Sequence, residues 1–177
     1  MSIDAPEGPP PDVAPPGPGD RLVQVVLAGE ALTRLSPILE ADRAQAVADL
    51  EAENSFALCP AGDRQPPPGP YSLHLSIQEG RLVFDVRTEA DAPITALGLA
   101  LGPFRGLIKD YQMLVDSHMM AVEEGRAERI QAIDMGRRGL HNEGAALLQT
   151  RLASKARIDQ ETARRLFTLV CVLHTRV

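Results

Sequence analysis

The chain has 177 residues, 44% of them hydrophobic and 24% charged, with a net charge of −6. A chain of this length supports one core that buries roughly two thirds of its unfolded surface, without help from a disulfide or a metal. Two cysteines without CxxC spacing and the absence of Trp argue against a disulfide scaffold, a zinc site and a stacking platform for single-stranded nucleic acid.

The start, MSIDAPEGPP, has neither the basic residues nor the apolar stretch of a signal peptide. No apolar run approaches the roughly 18 residues that span a bilayer. The expected setting is therefore a reducing cytoplasm, with Cys59 a partly exposed thiol and Cys171 a small buried hydrophobe. Seven of the 15 prolines fall in the first 18 residues, where few large apolar side chains could offset the entropy of ordering them, so residues 1–20 are predicted to be a disordered tail. The remainder, residues 21–177, is expected to form a single domain.

Within that domain residues 22–27 read as a short strand. Residues 37–54 have helical spacing through Leu39, Val47 and Leu50, starting at the cap Ser36 with Pro37 in the first turn. Residues 59–70, rich in proline, form an extended loop. Tyr71, Leu73, Leu75 and Ile77 then alternate with polar residues, as do Leu82, Phe84 and Val86. Gln78-Glu79-Gly80 between them predicts a hairpin closed by a three-residue loop. A third strand is expected over residues 94–101, completing an antiparallel meander.

After Gly102-Pro103 the period becomes 3.6: Phe104, Leu107, Ile108, Tyr111, Leu114, Val115, His118, Met119 and Val122 form one stripe, predicting a long helix packed on the sheet. Further helical segments are expected at 127–135, 142–153 and 160–174, the last capped by Asp159. The fold class is thus α+β: an antiparallel meander of three to four strands packed against one N-terminal and three to four C-terminal helices.

Charge is unevenly placed. Residues 1–124 hold 8 basic and 19 acidic side chains, whereas residues 125–177 hold 10 basic and 5 acidic. Either the halves attract each other in the fold, or the basic half faces an anionic partner.

Residues 134–144 break helix rules most often. Gly136, Gly139 and Gly144 would cost roughly 1 kcal/mol each in a continuous helix. Two explanations are open: the backbone turns here, with Asn142 capping the next helix, or the glycines allow close approach by another backbone or a ligand. Such a turn would present Arg137, Arg138, His141, Asn142 and Glu143, a set suited to phosphate or another anion. It lacks the GK[ST] and preceding strand of a phosphate loop. The competing structural explanation has the arginines paired with the acidic half and His141 in a satisfied polar niche.

The histidines otherwise scatter, so no metal site or cofactor is expected. Arg164 and Arg165, preceded by Arg151, Lys155 and Arg157, outline a helix-turn-helix only loosely, and nucleic acid is disfavoured by the modest basic excess.

The segments ENSF at 53–56, RLVFDVR at 81–87, PFR at 103–105 with KDY at 109–111, IDMGRRGLHNEG at 133–144 and TARRLFTLVCVLH at 162–174 resemble an uncharacterised bacterial protein family with a numbered placeholder name. The likeness covers roughly residues 20–177 and departs in the proline-rich tail and in the loop at 66–70. It implies the domain extent and a bacterial cytoplasmic setting, and supplies no reaction and no functional residue.

The functional expectation is a non-enzymatic binding or regulatory protein. Its candidate contacts to a phosphate-bearing ligand or an acidic protein surface are Arg137, Arg138, His141, Asn142, Glu143, Arg164 and Arg165. Two alternatives stand beside it: a small enzyme using His141 and Glu143 for acid–base work on a phosphorylated substrate, and a nucleic-acid binder acting through the C-terminal helices.

Overall fold

A computed structural model describes residues 17–28 and 35–175. Residues 1–16 of the expected tail lie outside the described residues. Residues 17–20 are already tied into the domain: the Gly17 amide donates to Asp20 Oδ2 at 2.7 Å, and the Asp20 carbonyl accepts from the Phe56 amide at 2.9 Å.

The element order is β1 (Leu22–Leu27), α1 (Pro37–Ala52), β2 (Phe56–Leu58), β3 (Tyr71–Gln78), β4 (Arg81–Thr88), β5 (Pro93–Ala100), α2 (Arg105–Glu123), α3 (Ala127–Leu152), β6 (Ala156–Ile158) and α4 (Gln160–His174). A short 3₁₀ turn, Gly102–Phe104, leads into α2. The α+β class holds, but the sheet is mixed. Strands β3, β4 and β5 form the expected antiparallel meander, whereas β1 lies beside β3 in parallel, giving the order β1-β3-β4-β5. A parallel neighbour requires a crossover, and α1 with β2 and the proline-rich loop supplies it.

The hairpin between β3 and β4 is tighter than predicted. Gln78 pairs with Arg81, so the loop is Glu79-Gly80 alone, with φ of 52° and 73°. Two successive left-handed residues match the twist of the flanking strands. The pair β2 and β6, antiparallel, was not foreseen: three-residue runs carry too little periodicity to read.

Helix α1 starts as expected, Ser36 accepting from the Leu39 amide with proline in the first turn. Asn54, just past its end, accepts from the Leu22 amide at 2.7 Å and donates to the Leu22 and Leu50 carbonyls, locking α1 to β1. Helix α2 ends at Glu123, and at Gly125, φ 67°, Arg126 N–H bonds the Ala121 carbonyl and Gly125 N–H the Val122 carbonyl, a Schellman stop that turns the chain into α3. The closest backbone neighbours of α2 are α3 and α4, and its buried residues share one core with the strands; of the helices, α1 approaches β1 most closely and α4 approaches β3. Its stripe holds for Ile108, Tyr111 and Val115, whereas Met119 and Val122 are exposed.

The central element is α4. Nine of its fifteen residues are buried, among them Leu166, Phe167, Val170 and Leu173, and it meets α1, α2 and α3. Asp159 caps it, accepting from the Thr162 amide at 2.8 Å, and the Thr162 hydroxyl in turn accepts from the Ser55 amide. No helix among the described residues is long and apolar enough to cross a membrane.

Candidate functional site

The expected turn at 136–144 is absent. Residues 127–152 form one helix, α3, about 39 Å long at 1.5 Å per residue. The glycines have separate explanations. A methyl at Gly144 would lie 2.5 Å from Phe167 Cγ and Cε1, so Gly144 is where α3 and α4 touch most closely. Gly136 faces Leu114 of α2 at ordinary contact distance, and Gly139 opens onto empty space. The helix survives them because Leu140, Ala145, Leu148 and Leu152 bury one side of it.

Helical continuity sorts the predicted site residues by face. Arg137 and His141, four apart, point inward together. Arg138, Asn142 and Glu143 are exposed, and Asn142 caps nothing. Glu143 lies about 200° around the helix from His141. It lines a groove of about 450 Å³ between α2 and α3 with Asp110, Met113, Leu114, Gly136 and Gly139. His141 and Glu143 therefore form no acid–base pair, and that enzymatic reading falls. The helix-turn-helix outline also falls, since strand β6, paired with β2, separates α3 from α4.

What the inward pair meets is a polar junction of all four helices. Asp42 of α1 accepts two hydrogen bonds on Oδ2, from Tyr111 OH of α2 at 2.7 Å and from Arg137 Nη2 at 2.8 Å. The Arg137 guanidinium lies 6.0 Å from the centre of the Tyr111 ring. The side chains of Arg137 and Asp42 are only 18% and 21% exposed, so their charges interact through a poorly screened medium. This pair joins one arginine of the basic half to one carboxylate of the acidic half.

His141 sits 5.8 Å from the Tyr111 ring and 6.2 Å from the Phe167 ring, with its Nε2 3.4 Å from Thr168 Oγ1 of α4. The Thr168 hydroxyl donates to the Arg164 carbonyl one turn back. Its oxygen is thus left to accept, which assigns the imidazole proton to Nε2. Burial, then the charges of Arg137 and Arg164, push the imidazole down to about 4 against the smaller opposing pull of Asp42. His141 is neutral at pH 7. Burial first and Asp42 second raise the Tyr111 phenol far above its ordinary range, keeping it a donor.

Arg164 bonds Glu161 through Nη1 at 3.2 Å, and Arg165 reaches the Glu53 carbonyl at 3.3 Å. The Nε atoms of Arg137 and Arg164 are buried without a hydrogen-bond partner. Two cationic donors on adjoining helices, both felt by the same imidazole, are thus left unused. Sequence reasoning brought Arg137, His141 and Arg164 into view but missed Asp42, Tyr111 and Thr168. One signal was available: Asp42 falls on the face of α1 that carries Leu39, Ala46 and Leu50, a carboxylate on a core stripe. Among the described residues no three His, Cys, Asp or Glu side chains are grouped as a metal site.

Comparison with known proteins matches residues 19–176 to the family described as "Uncharacterised protein family (UPF0262)". The UPF0262 protein of Granulibacter bethesdensis is 67% identical over 160 residues, covering 89% of this chain and 91% of the relative. That of Acidiphilium cryptum is 60% identical, covering 88% of this chain and 93% of the relative. One from Rhodopseudomonas palustris is 49% identical, covering 88% and 92%. No solved structure matches. With nearly the whole domain covered at these identities, the chain belongs to the bacterial family UPF0262, whose function is unknown.

Proposed function

We propose that this chain is a small cytoplasmic, non-enzymatic binding or regulatory protein that recognises a phosphate-bearing ligand at the four-helix junction through Arg137, Arg164 and neutral His141. The observation that carries this reading is the pair of buried Nε–H donors left without acceptors on α3 and α4. An unmade hydrogen bond at a buried cationic group is costly, and an anion's oxygens would satisfy both at once. Neutral His141 complements them, since it can take up a proton when an anion arrives and offsets the two cationic fields. Arg138, fully outside the junction, and Arg165, held on the Glu53 carbonyl, would add only to the surrounding positive potential. A cytoplasmic setting is supported by the two free cysteines.

Calorimetric titration with inorganic pyrophosphate tests the proposal. Wild type is expected to bind, Arg164→Gln to bind about tenfold more weakly or worse, and Arg138→Gln to bind like wild type. Absence of binding, or equal affinity in Arg164→Gln with its fold intact by circular dichroism, would remove the reading.

A further inference from the structure

A second site shares no lining residue with the junction: the proline-rich loop, the edge of β5 and the turn between α3 and β6 enclose a cleft of about 430 Å³. That volume is in the range of small-molecule pockets. Its walls are largely apolar, with Leu58, Pro66, Pro67, Ile94 and Leu97 among them, and among the described residues the cations lining it are Arg64 and Lys155. No Asp or Glu among the described residues lines it. Neither cation is ion-paired among the described residues, in contrast to Arg87, Arg137 and Arg164.

Lys155 is fixed through its ammonium group, and Arg64 through its backbone alone. Lys155 Nζ donates to the Gly98 carbonyl at 2.9 Å, which leaves two of its three N–H donors free, and its backbone carbonyl accepts from the Cys59 amide at 2.9 Å. Arg64 closes a tight turn through reciprocal bonds with Ala61, 3.1 Å each, around Gly62 at φ 62°.

We infer that this cleft binds a small amphipathic carboxylate, its head between Arg64 and Lys155 and its hydrocarbon tail along the prolines and the β5 edge. Charge alone would suit any anion, but the apolar walls contribute only if the ligand carries a tail. A neutral apolar ligand would instead desolvate two unpaired cations.

The cleft contains its own reporter. Cys59 lines it, half-buried, while Cys171 is fully buried, so alkylation of the native protein by uncharged iodoacetamide follows Cys59. The experiment measures that rate in the full chain with octanoate, with acetate and with octylamine. Octanoate is expected to slow alkylation saturably by about fivefold or more, acetate and octylamine to leave it unchanged, and Arg64→Gln or Lys155→Met to raise the half-saturating octanoate concentration about tenfold. Arg64 is exposed, so its variant keeps the test decisive even if Lys155→Met loosens the β5 edge. No protection by octanoate, equal protection by acetate or octylamine, or undiminished protection in Arg64→Gln would overturn the inference.

Discussion

Alanine substitutions at the three glycines of α3 probe the continuity of that helix with opposite expected signs. At Gly139 nothing lies within 4 Å of an added methyl, and at Gly136 the nearest atoms are Leu114 methyls at 3.6 and 3.8 Å. Both replacements therefore keep their contacts and gain helix propensity, about 0.8–1 kcal/mol each. At Gly144 the same gain applies, but the methyl meets Phe167 ring carbons at 2.5 Å, and Phe167 is fully buried. Overpacking of this kind costs about 1–3 kcal/mol, and a displaced ring that also holds His141 edge-on puts the cost at the upper end, for a net loss of about 1–2 kcal/mol. Thermal denaturation followed by far-UV circular dichroism resolves these differences, with Tm moving about 2–4 °C per kcal/mol in a chain of this size. Destabilisation by Gly139→Ala would refute the reasoning, because it would mean that the backbone there is not helical. So would a harmless Gly144→Ala.

Three further outcomes follow from the contacts described. His141 titrates near 4 in the fold against an ordinary value of 6.5, so the unfolded chain binds the extra proton between those values. Its contribution is present above about pH 7 and is lost as pH falls toward 4, to the extent of about 3 kcal/mol, and His141→Phe should flatten that part of the stability profile measured by urea melts. Arg137→Met strands the Asp42 carboxylate with Tyr111 as its remaining partner and should cost about 3 kcal/mol, part of which Asp42→Asn in the same chain should restore in a double-mutant cycle. Asn54→Ala removes two hydrogen bonds to Leu22 of β1 and one to Leu50 of α1 and should cost about 2–3 kcal/mol by chemical denaturation.

The elements with long, regular periodicity were legible. The β3–β4–β5 meander followed from alternation, α1 from Ser36 and Pro37, and α4 from Asp159 and its apolar face. The parallel pairing of β1 was not, because a six-residue strand buried at Leu22, Val25 and Leu27 carries no mark of its neighbour's direction. At α3 local propensity misled: three glycines suggested a break, but burial of Leu140, Ala145, Leu148 and Leu152 against the rest of the domain outweighed their cost. That one misreading scattered the candidate site. With a turn, Arg137, Arg138, His141, Asn142 and Glu143 could share a surface; with a helix, only Arg137 and His141 point inward, while Arg138, Asn142 and Glu143 are left exposed. Their partners Asp42, Tyr111 and Thr168 come from three other helices, and nothing in sequence spacing brings residues 42 and 137 together.

The most direct measurement for the junction as an anion site is an NMR pH titration of the His141 imidazole, with and without inorganic pyrophosphate. The protein has four histidines, so His74, His118 and His174 serve as references in the same spectra. Without ligand, His141 should remain neutral down to about pH 5, with its proton on Nε2. An anion between Arg137 and Arg164 should move its midpoint upward by about one unit or more while leaving the other three in place. A His141 midpoint unmoved by saturating pyrophosphate, or one that moves equally with all four histidines, would contradict the account.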